Sequence, residues 1–286
     1  MDKVRLKGHE SFSIREGWIP KGIIAVQENP KIFSSKDATD ILGMGTNMVK
    51  SLKYWLIACD LIEESKKNEY ELTELGDLIN KYDPFLEDIF TLFFIHINLV
   101  SNKEKATIWN LFFSKCNIKN FNKKDLLEAL KYELETEYLE YNEKMLIDEI
   151  NVLLKTYSNE DKVNNPENNF ACPLDELNLL RKIDREFYEK NKPSLAKLDK
   201  RIILYYIEKE CEENSVKSLN IDDFVKKQDG VCKILNLDKN TLNEYLEILK
   251  NDKLITLNKT AGLNMVYIEK YHNLSEVFEN YFGKEV

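Results

Sequence analysis

Residues 34–79 read SSKDATDILGMGTNMVKSLKYWLIACDLIEESKKNEYELTELGDLI, and the order of elements in this stretch decides the fold. Ser34 or Ser35 is placed to cap a short helix with Ala38, Ile41 and Leu42 on its apolar side, since a side-chain oxygen there satisfies a helix's first unpaired N–H groups. Gly43 and Gly45 bracket Met44, where a reversal between packed helices needs backbone angles that side chains resist. Thr46 can cap a second helix, residues 47–59, in which Val49, Leu52, Trp55 and Leu56 recur at the spacing of one buried face. Its other face holds Asn47, Lys50, Ser51, Lys53 and Tyr54, with no acid before Asp60. The polar run 63–69 then ends where Tyr70, Leu72 and Leu75 return to the core, which predicts a hairpin carrying Lys66 and Lys67. Helix, turn, helix and hairpin make the plan of a winged helix-turn-helix, with residues 47–59 as its recognition helix. That plan serves protein contacts as well as DNA. The same spacing puts Trp55 in the core and Tyr54 at the surface.

The 286 residues exceed one average domain, and 43% hydrophobic with 11% aromatic content can build real cores. Only 9 Gly and 6 Pro point to a mainly helical chain with few tight loops. A net charge of −9 is wrong for a protein that coats nucleic acid indiscriminately. Its distribution is uneven: residues 1–60 hold nine Lys/Arg against seven Asp/Glu, so the other 226 residues carry −11. Contact with a polyanion is therefore expected near the N-terminal module. The five cysteines are scattered, with no metal-ligand spacing to the three histidines, as expected in a reducing cytoplasm. Neither a signal peptide nor an apolar run long enough for a bilayer is present, so no membrane partner is expected.

Two short stretches concentrate groups that could do chemistry. His9, Glu10, Arg15 and Glu16 fall within GHESFSIREGW at 8–18; His9 and Glu10 would be an acid–base pair or metal ligands, with Arg15 gripping an anion. The competing reading docks Phe12, Ile14 and Trp18 on the winged helix and uses the charged residues in ion pairs. Asp83, Glu87 and Asp88 in DPFLED could hold a divalent cation as a phosphodiester hydrolase would. The simpler account makes Asp83 a helix cap, Pro84 the first helical residue, and the other two acids partners of the helix dipole. We take the structural reading of both stretches, so no catalytic residue, metal or cofactor is assigned. Gly43-Met44-Gly45 lacks the preceding strand and the Gly-Lys-Ser/Thr ending of a phosphate loop.

Residues 86–100 are apolar nearly all round and predict a helix at the centre of the molecule, with His96 as a hydrogen-bonded core residue. Helices are also expected at 106–115, at 124–141 with Leu126, Leu127, Leu130, Leu134 and Tyr138 inward and an acidic outer face, at 145–157 and at 173–188. The run SNEDKVNNPENN at 158–169 reads as a linker. Beyond it, helices at 202–207, 221–227 and 241–251 and a hairpin at 254–268 repeat the first module's plan with no net positive face, and 274–282 closes the chain as a helix. The expected architecture is mainly α: two winged helix-turn-helix modules flanking a central helical core. The divisions are 1–82, a central core at 83–157, a linker at 158–172, and a C-terminal domain at 173–286.

The phrases GHESFSIREGW, LGMGTNMV, YWLIACDLI, LTELG, DPFLED, ATIWNLFF, LLKTY and CPLDEL, in this order, resemble the bacterial family called domain of unknown function 4007. The resemblance runs from about Gly8 through Leu180 and more weakly to the end. It brings no catalytic residue set. It implies a place beside sulfur-transfer enzymes in DNA phosphorothioation or phage-defence clusters, and hence a DNA-linked role with a partner protein. The expected function is a non-catalytic DNA-binding accessory protein contacting double-stranded DNA through Asn47, Lys50, Ser51, Lys53, Tyr54, Lys66 and Lys67. The alternative is an adaptor that docks a sulfur-transfer or nuclease partner without touching DNA.

Overall fold

The computed structural model describes Val4 and residues 6–158, 171–259 and 263–283. The expected linker at 158–172 falls almost wholly outside these residues. The chain forms two compact units, 1–191 and 192–286. Both are mainly helical, with three small antiparallel sheets among the described residues.

The first unit opens with α1 (Trp18–Glu28), α2 (Ala38–Leu42) and α3 (Thr46–Ala58). Gly43 ends α2 in the left-handed region at φ 60°, where an L side chain would be strained. The caps differ from the sequence expectation. Asp37 precedes α2 and Gly45 precedes α3, neither with a side-chain cap, while Ser35 Oγ accepts the Asp37 N–H instead. Strands β1 (Ile62–Lys66) and β2 (Glu69–Leu72) pair antiparallel, Ile62 opposite Leu72 and Lys66 opposite Glu69, and Lys67 and Asn68 turn the chain. Thr73 caps α4 (Glu74–Tyr82) by accepting from Gly76 N–H. Gly76 itself is required: a Cβ there would lie 2.2 Å from the Leu61 carbonyl oxygen.

Helix α5 (Ile89–Ser101) is the core helix that its composition demands, buried at every position from Phe90 to Val100 except Asn98. His96 lies within it, its Nδ1 2.7 Å from the Tyr157 hydroxyl. The cap is not Asp83 with Pro84 behind it: Asp88 accepts from Phe90 N–H, and the helix starts at Ile89 rather than at the expected residue 86. Asp83 instead turns the chain ahead of α5, its carboxylate accepting from Glu87 and Asp88 N–H. Helix α6 (Thr107–Asn110) continues into a π-helical turn, Leu111–Lys115. Helix α7 (Lys123–Thr136) begins with a reciprocal cap between Asn122 and Asp125 and buries Leu126, Leu130 and Leu134. It stops before Tyr138, which is left-handed (φ 57°) and 71% exposed, not inward-facing. Helix α8 (Glu143–Tyr157) follows.

The helix expected at 173–188 does not form. Pro173–Leu177 is a 3₁₀ turn, and β4 (Leu180–Lys182) and β5 (Phe187–Lys190) join β3 (Asn120–Asn122) in a sheet of order β3-β5-β4. Local side-chain chemistry wins here: Asn178 takes the left-handed conformation, and Asp184 accepts from Glu186 and Phe187 N–H, closing a turn inside an otherwise helical composition.

The second unit holds α9 (Lys200–Glu213), β6 (Ser218–Asn220), α10 (Ile221–Lys226), α11 (Val231–Ile234), α12 (Lys239–Asn251), β7 (Ile255–Asn258), β8 (Met265–Ile268) and α13 (Leu274–Phe282). Its sheet has the order β6-β8-β7, one strand more than the hairpin read from the sequence.

Candidate functional site

The α3 surface is narrower than an amphipathic reading suggests. Trp55 is fully buried, as its spacing requires, with its indole N–H donating to Phe12 O at 3.0 Å. Tyr54 is buried too, at 6% exposure, and Ser51 at 0%. Both therefore leave the expected DNA-facing set. The cause is a second layer of packing: the Tyr54 hydroxyl donates to Lys105 O at 2.8 Å, and its ring lies over the N-terminal segment. A Cβ at Gly8 would meet that ring at 2.4 Å, so Gly8 is what lets the segment close on α3. Helix α3 is thus covered on two sides, and Thr46, Asn47 and Lys50 stay exposed with Lys53 and Ile57 half-buried. Lys50 Nζ stands 3.5 Å from Asn47 Oδ1 and 4.0 Å from Glu10 Oε1. The Lys53 ammonium sits 4.5 Å from the centre of the Tyr70 ring. Lys66 and Lys67 are exposed on the hairpin, beside the exposed Glu63, Glu64 and Glu71.

The GHESF stretch assembles a buried polar centre. His9 is fully buried, stacked on Trp55 at 5.8 Å and 14°, with Tyr54 and Trp109 edge-on. Its Nδ1 accepts the Ser11 N–H at 3.1 Å, so the proton of the neutral ring is on Nε2, 3.0 Å from Glu149 Oε1. Glu149, buried on α8, accepts the Lys7 N–H, and Lys7 pairs with Asp148. Lys7, Glu10 and Ser11 all have positive φ (62°, 49° and 68°), conformations that cost L residues energy and persist where surrounding contacts dictate them. Arg15 places its guanidinium over Phe12 and Trp18, 5.4 and 5.5 Å from the ring centres. Glu16 is exposed, and its N–H donates to Ala171 O. These groups bind the N-terminal segment to α3, α6 and α8.

In DPFLED, Asp83 is buried and both its oxygens accept backbone N–H groups; burial pushes its carboxyl above the usual range. Glu87 is exposed and Asp88 is the α5 cap. Among the described residues, no three His, Cys, Asp or Glu side chains stand together as metal ligands would. Hence the two stretches do not combine into a cation site.

Sequence reasoning missed Glu149 and a second buried acid, Glu208 on α9, which accepts from His272 N–H at 2.8 Å and lies 2.9 Å from His272 Nδ1. The signal was available: Glu149 falls in register with Leu146, Ile150 and Leu153, and Glu208 with Leu204, Ile207 and Cys211. An acid on an apolar helix face needs a partner.

A family described as "Protein of unknown function (DUF4007)" matches residues 6–282. The chain belongs to this family. Two solved structures share the fold of this DUF4007 member: "SspB crystal structure" (TM-score 0.84, 21% identity) and "Magnesium ion-bound SspB crystal structure" (TM-score 0.83, 20% identity). Each covers 97% of this chain and 88% of its own. No curated protein sequence matches it. Among the described residues, no helix is long and apolar enough to cross a membrane.

Proposed function

We propose that residues 38–72 form a winged helix-turn-helix that docks on double-stranded DNA, and that the protein serves without catalysis of its own in a bacterial DNA-modification or defence system of the phosphorothioation type. The observation that carries this reading is α3 itself. It contains no acid from Thr46 to Ala58, its N-terminus has no side-chain cap, and Thr46, Asn47 and Lys50 line its exposed stripe. Uncapped N–H groups at the positive end of a helix are complementary to phosphate. With the N-terminal half of α3 in the major groove, Asn47 would reach base edges. Lys50, Lys53, Lys66 and Lys67 would meet the backbone. The magnesium ion named for one SspB structure has no three-ligand counterpart among the described residues here, and no step of this reading passes through a metal.

Fluorescence anisotropy with plain and phosphorothioated duplexes tests the reading. Binding at low salt should weaken as salt rises, with a slope corresponding to about two to four neutralised phosphates. No binding to any duplex at low salt overturns it. The acids Glu63, Glu64 and Glu71 beside the hairpin lysines favour a second reading, an adaptor that docks a partner protein. That reading gains if charge reversal at Lys50, Lys66 and Lys67 leaves a native complex intact and the DNA-linked phenotype unchanged.

A further inference from the structure

Two elements bank the exposed stripe of α3, one on each side. An α-helix turns about 100° per residue, so neighbouring side chains leave it in well-separated directions. Lys53 leaves toward the hairpin, its ammonium 4.5 Å from the centre of the Tyr70 ring on β2. Tyr54 leaves on the other side, and its hydroxyl donates to Lys105 O at 2.8 Å, in the loop between α5 and α6. Lys50 and Ile57 fall between these two directions, Lys50 exposed and Ile57 half-buried. The hairpin bank carries Lys66 and Lys67; the loop bank carries Lys103 and Lys105.

That loop is bolted to α3. Asn102 Nδ2 donates to Ala58 O at 3.3 Å and to Ile57 O at 3.5 Å, while Asn102 Oδ1 accepts the Lys105 N–H at 3.1 Å. Within the loop, the Ala106 N–H donates to Asn102 O and the Thr107 hydroxyl donates to Lys103 O at 2.7 Å. The backbone carrying Lys103 and Lys105 is therefore set against α3 before any partner arrives, which lowers the entropy lost on binding. Lys103 is exposed and Lys105 half-buried. The acid between them, Glu104, is 87% exposed, with its carboxylate 3.9 Å from the Lys105 ammonium. A pair so loose and so open to solvent holds little, and the loop keeps one positive charge in excess.

A helix seated in the major groove lies between two phosphate backbones, one along each edge of the groove, and cations on one bank alone reach one strand. We propose that residues 102–106 form a second phosphate-contacting element, with Lys103 and Lys105 meeting the strand opposite the one met by Lys66 and Lys67. The inference rests on the DNA reading of α3 and extends it to the far strand; these two lysines fix the helix's position and read no base.

Anisotropy titrations of the intact protein with a labelled plain duplex, repeated between about 50 and 200 mM salt, test it. Lys103→Gln combined with Lys105→Gln should weaken binding at low salt at least about threefold and lower the number of neutralised phosphates by about one to two. Glu104→Gln should act in the opposite direction and tighten binding, a gain that a merely structural loop would not give. Urea unfolding followed by tryptophan fluorescence checks that the variants keep the wild-type fold. If the double variant is destabilised, Glu104→Gln alone decides, because that side chain is 87% exposed. An unchanged salt slope in a stable double variant, or no tightening in Glu104→Gln, overturns the second contact; wild-type duplex binding then leaves the DNA reading of α3 standing. Absence of duplex binding by the wild type overturns both.

Discussion

Helices α3 and α12 are both thirteen residues long and both run into an antiparallel hairpin, yet their surfaces differ in kind. Helix α12 is charge-balanced at both ends. Asp238 caps it through Thr241 N–H and is bound by Lys192, Lys239 pairs with Asp222, and Lys250 and Lys259 share Glu247. Helix α3 has no acid of its own and no capping side chain. The recurring backbone plan thus says little about function; the exposed stripe says more. The units differ in their buried acid–histidine pairs as well. His9 and Glu149 are sealed beneath aromatic rings, whereas the His272–Glu208 pair borders a cleft.

The largest expected effect tests how far α3 belongs to the core. Trp55→Ala should destabilise the first unit by about 3–5 kcal/mol, since a fully buried indole and its hydrogen bond to Phe12 are lost together. The other tryptophans, Trp18 and Trp109, are both in this unit, so their fluorescence during urea unfolding reports on it directly. A loss below about 1 kcal/mol would mean that α3 is not the keystone of its unit. Gly8→Ala comes next. The added methyl meets the Tyr54 ring at 2.4 Å, and the expected cost is about 1–3 kcal/mol, measured the same way.

Charge reversal addresses the surfaces. The triple variant Lys50→Glu, Lys66→Glu and Lys67→Glu should lower duplex affinity at least about tenfold, roughly 1.4 kcal/mol. The matched pair Lys239→Glu and Lys250→Glu on α12 should leave it within about twofold. Equal effects in anisotropy would erase the contrast between the two helices.

How much of this was legible in the sequence depends on the range of the interaction that decided each element. The spacing of Val49, Leu52, Trp55 and Leu56 placed α3 and its inner face, and the unbroken apolar run placed α5 in the core. The hairpin followed from one polar run between two apolar ones. What periodicity could not show was a second partner on the same helix. Tyr54 and Ser51 read as surface because nothing near them in sequence covers them; over Tyr54 the cover is a segment more than forty residues upstream, admitted by the missing side chain of Gly8. The region 173–188 failed for the opposite reason. Its helical composition lost to two local devices, the left-handed Asn178 and the Asp184 turn. The chemical reading of GHESF found the right residues and lacked their partner, since Glu149 is 140 residues away from His9.

The second unit's charge balance has a pH signature. Lys192, followed by the Thr241 N–H, holds the Asp238 carboxyl at about 2, below its ordinary value of 3.8. A carboxyl lowered on folding contributes stability above its unfolded value, and that contribution is lost as pH falls through the folded one. Between pH of about 4 and 2 the second unit should therefore lose stability in the native chain and lose less in Asp238→Asn. Acid titration monitored by circular dichroism compares the two. The effect should be small because both partners are about half exposed and solvent screens them.

The smallest effect is the sharpest test of where the α3 face lies. Ser51 is fully buried and its Oγ has no hydrogen-bond partner among the described residues. A buried hydroxyl in that state carries the cost of leaving water without the return of a new bond. Alanine removes the cost, fits the same space and is the better helix former. Ser51→Ala should therefore leave stability unchanged or raise it by up to about 1 kcal/mol, and should leave duplex affinity alone. Asn47→Ala, one turn earlier on the exposed stripe, should weaken affinity without changing stability by more than about 0.5 kcal/mol. If Ser51→Ala weakens DNA binding while Asn47→Ala does not, α3 meets DNA through the side packed here against the N-terminal segment. That segment would then have to move aside for binding, and the strained Lys7, Glu10 and Ser11 would be its hinge.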